Sequence, residues 1–278
     1  MIIMEKNNAL VSIIIPTLNS ERTLKECIEH IRTQSYKNVE VIIVDSFSKD
    51  NTLKIAKEFN CVIIQTKWKL LGARYLGVKN SKGTYVFMVD SDQILKNNKV
   101  IEDAVKLMKS YDMLVLEESS VKTSTFLEKA ANADRKLIHK LYKIQIDPVY
   151  GVLLPRFFNK KVITEALRNI NMKKFHDVVI FDHVILYYEA YKISNKVGVL
   201  NNAILHSEPD NFKEFFKHNY NYGVTARNLK NTEYSELIKA KTRFRTGSFK
   251  VKNLSLIINS FILVALKGVA YELGYIFG

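Results

Sequence analysis

An acidic pair closes a strongly apolar run in the middle of the chain. Asp90 and Asp92 follow VFMV, and Ser91 lies between them. Two carboxylates at this spacing, where a strand ends, can share a divalent cation, because Mg²⁺ and Mn²⁺ prefer oxygen ligands. Such a cation acts as a Lewis acid on a departing diphosphate. A plain turn is the alternative, since Asp often follows strands to bond turn amides.

A third carboxylate lies at the end of another apolar run. Asp45 closes VEVIIVD, and from a strand end its carboxylate can accept hydrogen bonds from a nucleobase. The alternative is that Asp45 starts a turn or caps the helix predicted to begin near Asp50.

The elements that must position these residues follow from the periodicity of the first hundred residues. Short β-branched runs predict buried strands at 11–17, 39–46, 61–66 and 85–92, and helical spacing separates them at 20–33, 50–59 and 71–80. This alternation predicts an α/β fold, built from right-handed βαβ units on a mainly parallel sheet flanked by helices. Ligands bind such sheets beyond the carboxyl ends of the strands, so the polar strand ends should converge there.

The later elements are less regular. The pattern predicts helices at 99–109, 124–142, 159–169, 181–192 and 211–229, and strands at 113–119, 149–155 and 197–206. A chain of 278 residues can bury one sizeable core with an appendage. We predict a catalytic domain over residues 1–230 and a tail over 231–278.

The tail concentrates the positive charge. Residues 213–252 carry ten Lys or Arg against three Glu, a net +7 and half of the chain's +14. The apolar run 254–266 is shorter than the roughly 20 residues that cross a bilayer. An amphipathic helix lying on an anionic membrane surface explains both features. The alternative is a last helix packed on the catalytic core or on a second subunit.

The compartment is inferred from the cysteines and the N-terminus. Cys27 and Cys61 form neither a disulfide framework nor a metal spacing, which suits a reducing compartment. No basic stretch followed by a sustained apolar run opens the chain, so no cleaved signal peptide is expected. The prediction is a cytoplasmic protein held peripherally, in a monotopic manner, on the inner face of the cell membrane.

The ordered motifs VSIIIPTLN, VEVIIVDSFSKDNT, LLGARYLGVKNSKGTYVFMVDSD and FDHVILYYEAYK, followed by a His, resemble glycosyltransferase family 2 over roughly residues 10–225. The resemblance implies a GT-A (Rossmann-like) fold and inverting transfer from a nucleotide sugar. It assigns the nucleotide pocket to Pro16, Thr17, Asn19 and Ser91, the base to Asp45, the ribose and metal to Asp90, and direct metal ligation to Asp92.

Arg74 lies in GARYLG, which is similar to a Gly-Ala-Arg-Asn-x-Gly run of the family. A guanidinium there can fork onto phosphate oxygens, and a surface Arg is the alternative. The family commonly has Asp-Asp-Gly-Ser where this chain has Asp45-Ser46-Phe47-Ser48. A second carboxylate is therefore missing, and uridine is the favoured base with guanosine as the alternative.

Two further residues complete the predicted site. Asp182 starts a helix where the family places an acidic residue, so it is the predicted catalytic base that takes a proton from the acceptor hydroxyl. The alternatives are a plain helix cap and Asp177 as the base. His206 ends a strand and is predicted as a third metal ligand, because neutral imidazole suits a divalent cation; a surface His is the alternative.

The predicted function is hexosyl transfer from a UDP-sugar, with a GDP-sugar as the alternative, using Mn²⁺ or Mg²⁺. The predicted acceptor is a lipid-linked sugar or a polyprenyl phosphate. A sugar-1-phosphate nucleotidyltransferase is one rival, but it needs a glycine-rich phosphate loop that PTLNSERT does not supply. A basic nucleic-acid-binding module is the other, motivated by the charge of +14 but without a recognisable motif, so no nucleic-acid partner is predicted.

Overall fold

Strands and helices alternate through the first hundred residues, as the apolar runs predict. In this computed structural model, residues 8–142, 146–149, 151, 153–207, 211–242 and 254–278 are described. The first strands are β1 (Val11–Thr17), β2 (Val39–Asp45), β3 (Val62–Gln65) and β4 (Tyr85–Met88). Helices α1 (Leu24–Arg32), α2 (Thr52–Glu58) and α3 (Leu70–Asn80) follow the first three strands in turn.

The remaining elements are shorter strands among longer helices. The strands are β5 (Gln93–Leu95), β6 (Met113–Ser120), β7 (Pro155–Asn159) and β8 (Val197–His206). The helices are α4 (Val100–Leu107), α5 (Phe126–Tyr142), α6 (Lys160–Asn169), α7 (Met172–Phe175), α8 (Asp182–Ile193), α9 (Phe212–Leu229), α10 (Ser235–Thr242) and α11 (Leu254–Phe277).

The eight described strands form one sheet in the order β3-β2-β1-β4-β7-β6-β8-β5. The first four are parallel neighbours, and β7 is antiparallel to both β4 and β6. The predicted α/β class with helices around a largely parallel half-sheet is confirmed. The register pairs Thr17 with Asp45, so the polar ends of β1 and β2 lie side by side.

Two strand predictions need correction. The strand predicted over 85–92 stops at Met88, and the acidic pair lies in a turn before β5. The strand predicted over 149–155 is wrong, because the strand found there is β7, Pro155–Asn159. Its aromatic side chains Phe157 and Phe158 are fully buried, and this burial, rather than the aliphatic run before it, decides where the strand lies.

Apolar side chains of β1, β2 and β4 build the main core together with α1 and α4. Helix α3 lies close to β1, because a Cβ added at Gly77 would come within 2.4 Å of the Ile14 Cγ2 atom. Glycine at this position therefore sets how near α3 approaches the sheet. The distance matters because α3 carries Arg74.

Described residues divide into two compact units. The first covers residues 1–117 and 154–205, and the second covers residues 118–153 and 206–278. The first unit contains most of the sheet and the second contains α5, α9, α10 and α11. The predicted domain boundary at residue 230 falls inside the second unit.

In the second unit α11 packs along α5 and α9. A Cβ at Gly223 would meet the Tyr271 carbonyl oxygen at 1.9 Å, and one at Gly274 would meet the Tyr220 carbonyl oxygen at 1.9 Å. The two glycines therefore let the α9 and α11 backbones touch. Part of the basic stretch predicted to bind membrane, residues 243–253, lies outside the described residues. None of the described helices combines the length and apolarity needed to cross a bilayer.

Candidate active site

A buried arginine joins two of the predicted site aspartates. Arg74 Nε donates to Asp182 Oδ2 at 2.5 Å, and Arg74 Nη2 donates to Asp90 Oδ1 at 2.6 Å. The Arg74 side chain is 1% exposed. These residues come from the start of α3, the start of α8 and the turn after β4, so tertiary packing brings them together. A guanidinium so far from water is stable only with such partners.

Arg156 and His183 extend this cluster. The β4–β7 register, which pairs Phe87 with Phe157, sets Arg156 near the carboxyl end of β4. Arg156 Nη1 donates to Asp90 Oδ2 at 2.8 Å and lies 2.9 Å from His183 Nε2. Because the guanidinium is always a donor, His183 Nε2 must accept, and the imidazole is then neutral with its hydrogen on Nδ1.

The pKa values in the cluster follow from burial and from the two arginines. Burial alone would raise the pKa of Asp90, but Arg156 and Arg74 outweigh it and hold that pKa well below its ordinary value. Burial raises the pKa of Asp182, and the Arg74 charge does not cancel this effect. Burial, with Arg74 and Arg156, also holds the pKa of His183 well below its ordinary value. Two cations, two anions and a neutral imidazole make the cluster close to neutral overall.

Backbone hydrogen bonds fix the start of α3 against the segment before α8. Leu71 N donates to the Val178 carbonyl at 2.9 Å, and Gly72 N donates to the His176 carbonyl at 3.2 Å. The Trp68 and His176 rings lie 5.3 Å apart between centroids. These contacts hold the two chain segments that carry Arg74 and Asp182 in a constant relation.

Asp45 lies at the same sheet edge and accepts three hydrogen bonds from the protein. It is fully buried and accepts from Thr17 Oγ1 at 3.0 Å, from Ser48 N at 2.9 Å and from Ser48 Oγ at 2.5 Å. The carboxylate thus shapes the turn after β2, as the alternative reading proposed. Its predicted contact with a nucleobase stays a prediction.

The loops after β1 and β2 are tied together. Asn19 N donates to Ser48 Oγ at 2.8 Å, and Lys49 N donates to Asn19 Oδ1 at 2.9 Å. Asn19 adopts φ 51°, which Asn tolerates better than most residues. Pro16 lies at the end of β1, half-buried beside this loop pair. The predicted nucleotide-pocket residues after β1 are therefore held in one rigid corner of the sheet edge.

The turn between β4 and β5 presents the acidic pair. Asp90 N donates to Gln93 Oε1 at 3.0 Å, and Gln93 N donates to the Asp90 carbonyl at 3.0 Å. Ser91 Oγ donates to Ser20 Oγ at 3.0 Å. Asp92 is partly buried in the same turn. Through Asp90 this turn is joined to the arginine cluster.

Two aromatic residues beside the site adopt left-handed backbone conformations. Phe181, the N-cap of α8, has φ 71°, and Phe47, two residues after Asp45, has φ 59°. A bulky residue in this region stores on the order of 1–3 kcal/mol, and such strain gathers at functional sites. At Phe181 the strained backbone directs the following residue, Asp182, towards Arg74.

Replacing Phe47 by Asn should raise the free energy of unfolding by about 1 kcal/mol, because Asn enters the left-handed region at lower cost. Phe47 is 48% exposed, so little packing is lost. Urea unfolding measures the change. Leu18→Asn is the control, since Leu18 is 60% exposed in the neighbouring loop and has no positive φ. A stability loss in Phe47→Asn beyond that of the control contradicts the strain.

The structure separates the two candidate bases. Asp177 is 55% exposed and lies 3.3 Å from His176 Nε2, whereas Asp182 is buried against Arg74. Asp182 is the first residue of α8, and the N-cap position belongs to Phe181. His206 is the last residue of β8 and falls in the second unit. Its role as a metal ligand stays a prediction.

Arg156 and His183 were not predicted as site residues. Arg156 follows the run that was predicted as a strand, and the true strand contains it. His183 stands next to Asp182 within the FDHVILYYEAYK motif. The contacts that join Arg156 to Asp90 and to His183 span 66 and 27 positions of the chain, so no short-range spacing could have indicated them.

The donor set suits a cation that arrives with its ligand. No group of three or more His, Cys, Asp or Glu side chains among the described residues is placed to hold a metal ion. Both oxygens of Asp90 accept from arginines, and Asp92 lies two residues further along in the same turn. Mg²⁺ commonly binds through one or two carboxylates plus substrate phosphates and keeps several waters. The residues therefore fit a shared cation and not a closed protein cage.

The strand order and the acidic side chains at the carboxyl edge define an α/β protein of the GT-A class. Solved structures share this fold. TarS 1-349 of S. aureus in complex with UDP superposes with a TM-score of 0.57 at 17% identity, over 95% of this chain and 90% of that one. Mannosyltransferase PcManGT from Pyrobaculum calidifontis, in complex with GDP-Man and Mn²⁺, gives 0.58 at 15% identity, over 94% and 76%.

Residues 12–145 match the family model described as glycosyl transferase family 2. This match, over just under half of the chain, confirms the resemblance drawn from its motifs. The matched segment contains every predicted site residue except the catalytic base Asp182 and the metal ligand His206.

Curated relatives are similar over shorter segments. Glycosyltransferase GlyG of Streptococcus pneumoniae serotype 4 is 38% identical over 98 residues, which are 33% of this chain and 33% of the relative. The Escherichia coli protein named UDP-Glc:alpha-D-GlcNAc-diphosphoundecaprenol beta-1,3-glucosyltransferase WfaP is 32% identical over 127 residues, 42% of this chain and 51% of the relative. The chain thus spans about a third to a half of these relatives.

Proposed function

We propose that this protein is an inverting glycosyltransferase that moves a sugar from a nucleotide-diphosphate sugar to a lipid-linked acceptor. The observation that carries the proposal is the buried Arg74–Asp90–Asp182 cluster at the carboxyl edge of the parallel strands, beside Asp92. A UDP-sugar is the favoured donor, since TarS is described with UDP. A GDP-sugar is the alternative, since PcManGT is described with GDP-Man.

The proposed acceptor is a lipid-linked sugar or a polyprenyl phosphate at the inner face of the membrane. The name of WfaP specifies a diphosphoundecaprenol-linked sugar as acceptor, which supports this class. The charge of +14 favours phosphorylated partners and anionic surfaces over neutral ones.

In the proposed reaction the chain's residues bind the donor, orient the acceptor and remove a proton from it. The loops after β1 and β2 hold the nucleoside, and Asp92 would hold Mn²⁺ or Mg²⁺. The cation, when bound, supplies Lewis-acid neutralisation of the departing diphosphate. Arg74 fixes Asp182 through Oδ2, so that the other oxygen faces the acceptor. Asp182 takes the acceptor hydroxyl proton as the acceptor oxygen bonds to the anomeric carbon and the bond to the diphosphate breaks.

Arg74 does not need to touch the phosphates in this scheme. Its Nε and Nη2 atoms are used by Asp182 and Asp90, and Nη1, which is buried, has no hydrogen-bond partner among the described residues. Arg74 is therefore proposed as a positioning residue, with Nη1 as the one group left for an incoming ligand.

The pH dependence of transfer should report Asp182. Burial raises the pKa of its carboxyl above that of an ordinary aspartate. Only the ionised form accepts a proton, so kcat/KM is expected to fall as the pH drops through this raised pKa and to stay level above it. A pH–rate profile with saturating metal measures the effect. An acidic limb at or below the ordinary aspartate value contradicts the assignment.

Thermal unfolding with UDP or GDP, with and without Mn²⁺, tests the proposed donor and metal. Ligand at about 100 times its Kd stabilises the folded state by about 2.7 kcal/mol. UDP with Mn²⁺ is expected to raise Tm, and UDP alone much less. In Asp92→Asn the Mn²⁺-dependent part of the shift should disappear.

The matched control is Asp103→Asn, because Asp103 is a half-exposed aspartate of α4 paired with Lys106. It should leave the Mn²⁺-dependent shift unchanged. Equal stabilisation by UDP with and without Mn²⁺, in the unaltered protein, overturns the proposed metal dependence. No response to either nucleotide, together with no hydrolysis of UDP- or GDP-sugars, overturns the proposed function.

A further inference from the structure

Three helices of the second unit run in the same direction. Ala130 of α5 and Phe215 of α9 share an apolar cluster with Leu263 of α11. Further along, Asp134 Oδ2 of α5 lies 3.3 Å from Lys267 Nζ of α11. Contact partners advance together on α5 and α11, so these helices are parallel.

Helix α9 follows the same direction. After the Phe215–Leu263 cluster, Gly223 of α9 meets the α11 backbone at Tyr271. Arg227 Nη1 then donates to the Ile276 carbonyl at 3.4 Å. The first turns of α5 and α9 therefore lie at the same end of the unit, level with the Leu263 region of α11.

At this level all three helices expose large apolar side chains. They are Phe126 (52% exposed), Phe212 (52%), Phe261 (54%) and Ile262 (38%). Each lies about one helical turn or less from the cluster residue on its own helix, Ala130, Phe215 or Leu263. This separation is at most about 6 Å along the helix axis. Phe126 and Phe212 lie about one turn before Ala130 and Phe215, on the same faces of their helices, so these two rings form a patch at the edge of the cluster. Phe261 precedes Leu263 by two residues and lies on another face of α11.

Lysines surround the patch. Lys122, Lys129, Lys213 and Lys217 are all exposed, and two glutamates, Glu128 and Glu214, lie in the same segments, 122–129 and 212–217, for a net charge of 4 − 2 = +2. Glu128 is buried and caps α5, accepting from Ser124 N at 2.8 Å and Thr125 N at 2.9 Å. The charge presented to solvent is therefore mainly positive.

We infer that this end of the second unit is a docking surface for an anionic lipid bilayer. Aromatic side chains enter the boundary between headgroups and acyl chains, and the surrounding lysines bind anionic headgroups. The surface differs from the predicted α11 helix lying flat on the membrane, because α11 is packed along α5 and α9. The inference deepens the proposed membrane location, and its test requires no sugar transfer.

Co-sedimentation of the full chain with vesicles of phosphatidylcholine, with and without phosphatidylglycerol, tests the docking surface. Binding is expected to require phosphatidylglycerol and to weaken with salt. The double variant Phe126→Ser, Phe212→Ser should lower the partition coefficient at least about tenfold. The control is Val269→Ser, Ile276→Ser, which removes two exposed apolar side chains of α11 away from this end and should bind like the unaltered protein.

A charge pair gives an independent measurement. Lys213→Gln, Lys217→Gln should weaken binding about thirtyfold, from the known contribution of single basic residues near an anionic surface. Lys54→Gln, Lys57→Gln, two exposed lysines of α2, change the net charge equally and should have little effect. Circular dichroism checks that all variants are folded. If the Phe126, Phe212 variant is unfolded, the Lys213, Lys217 variant tests the inference in its place.

Three results overturn the inference. One is equal binding to neutral and anionic vesicles, and another is a loss in the Val269, Ile276 control with none in the Phe126, Phe212 variant. The third is a dimer that the Phe126, Phe212 variant abolishes while vesicle binding stays unchanged, which would make this end an interface between two copies of the chain. If the protein binds vesicles normally but binds no nucleotide, the proposed reaction is contradicted and the docking surface is not.

Discussion

Asp182→Asn is expected to lower kcat by about 10²- to 10⁴-fold, the range that a general base contributes. Asparagine keeps the shape of the side chain and a carbonyl oxygen for the bond from Arg74 Nε, which Asp182 Oδ2 accepts at 2.5 Å. The donor should therefore bind almost as before, and thermal shift with UDP and Mn²⁺ measures that separately. Initial rates with a saturating donor measure the loss in kcat.

Asp177→Asn is the matched control for this experiment. Asp177 lies five residues upstream on an exposed turn, and its replacement should change kcat less than about twofold if Asp182 is the base. The opposite pattern, with Asp177→Asn inactive and Asp182→Asn active, assigns the base to Asp177. Near-normal activity in both variants indicates an acceptor that attacks through a phosphate oxygen, which needs no base, and so excludes a hydroxyl acceptor.

Arg74→Met is expected to destabilise the fold by about 3–5 kcal/mol, because removing one partner of a buried ion pair leaves a charge without compensation. Arg74 is 1% exposed and holds both Asp90 and Asp182. Asp90 keeps Arg156, whereas Asp182 loses its guanidinium partner. Chemical unfolding measures the loss. The loss should shrink as the pH falls, since protonation removes the unpaired charge of Asp182.

Arg168→Met is the matched control for Arg74→Met. Arg168 bonds Glu165 at 2.7 Å but is 71% exposed, and surface pairs of this kind contribute at most about 1 kcal/mol. Combining Arg74→Met with Asp182→Asn should recover part of the stability, because the amide carries no charge. Equal losses for Arg74→Met and Arg168→Met contradict a structural role for the cluster.

Local patterns were enough to predict much of the fold. The β-branched runs of β1 and β2 and the helical spacing of α3 depend on residues near in sequence, and burial of a parallel strand needs only an apolar run of the right length. The prediction failed at 149–155, where an aliphatic run precedes the true strand. Whether Val149 or Phe157 pairs with a neighbour depends on β4 and β6, which lie far away in the sequence.

The site was predictable where a strand ends and not where two distant segments meet. Asp45, Asp90 and Asp92 follow apolar runs, so their convergence at one sheet edge followed from topology alone. The sequence could not predict that Asp45 accepts hydrogen bonds from Thr17 and Ser48, because a carboxylate's partners depend on distances of tenths of an ångström.

The sequence by itself determined the alternation of strands and helices, the acidic strand ends and the basic tail, because each depends on residue type and short-range spacing. Only the tertiary structure decided that Arg74 lies between Asp90 and Asp182 with Arg156 behind them. Those contacts span up to 108 positions in the chain, and a buried charge is tolerated only where the whole fold delivers its counter-charge.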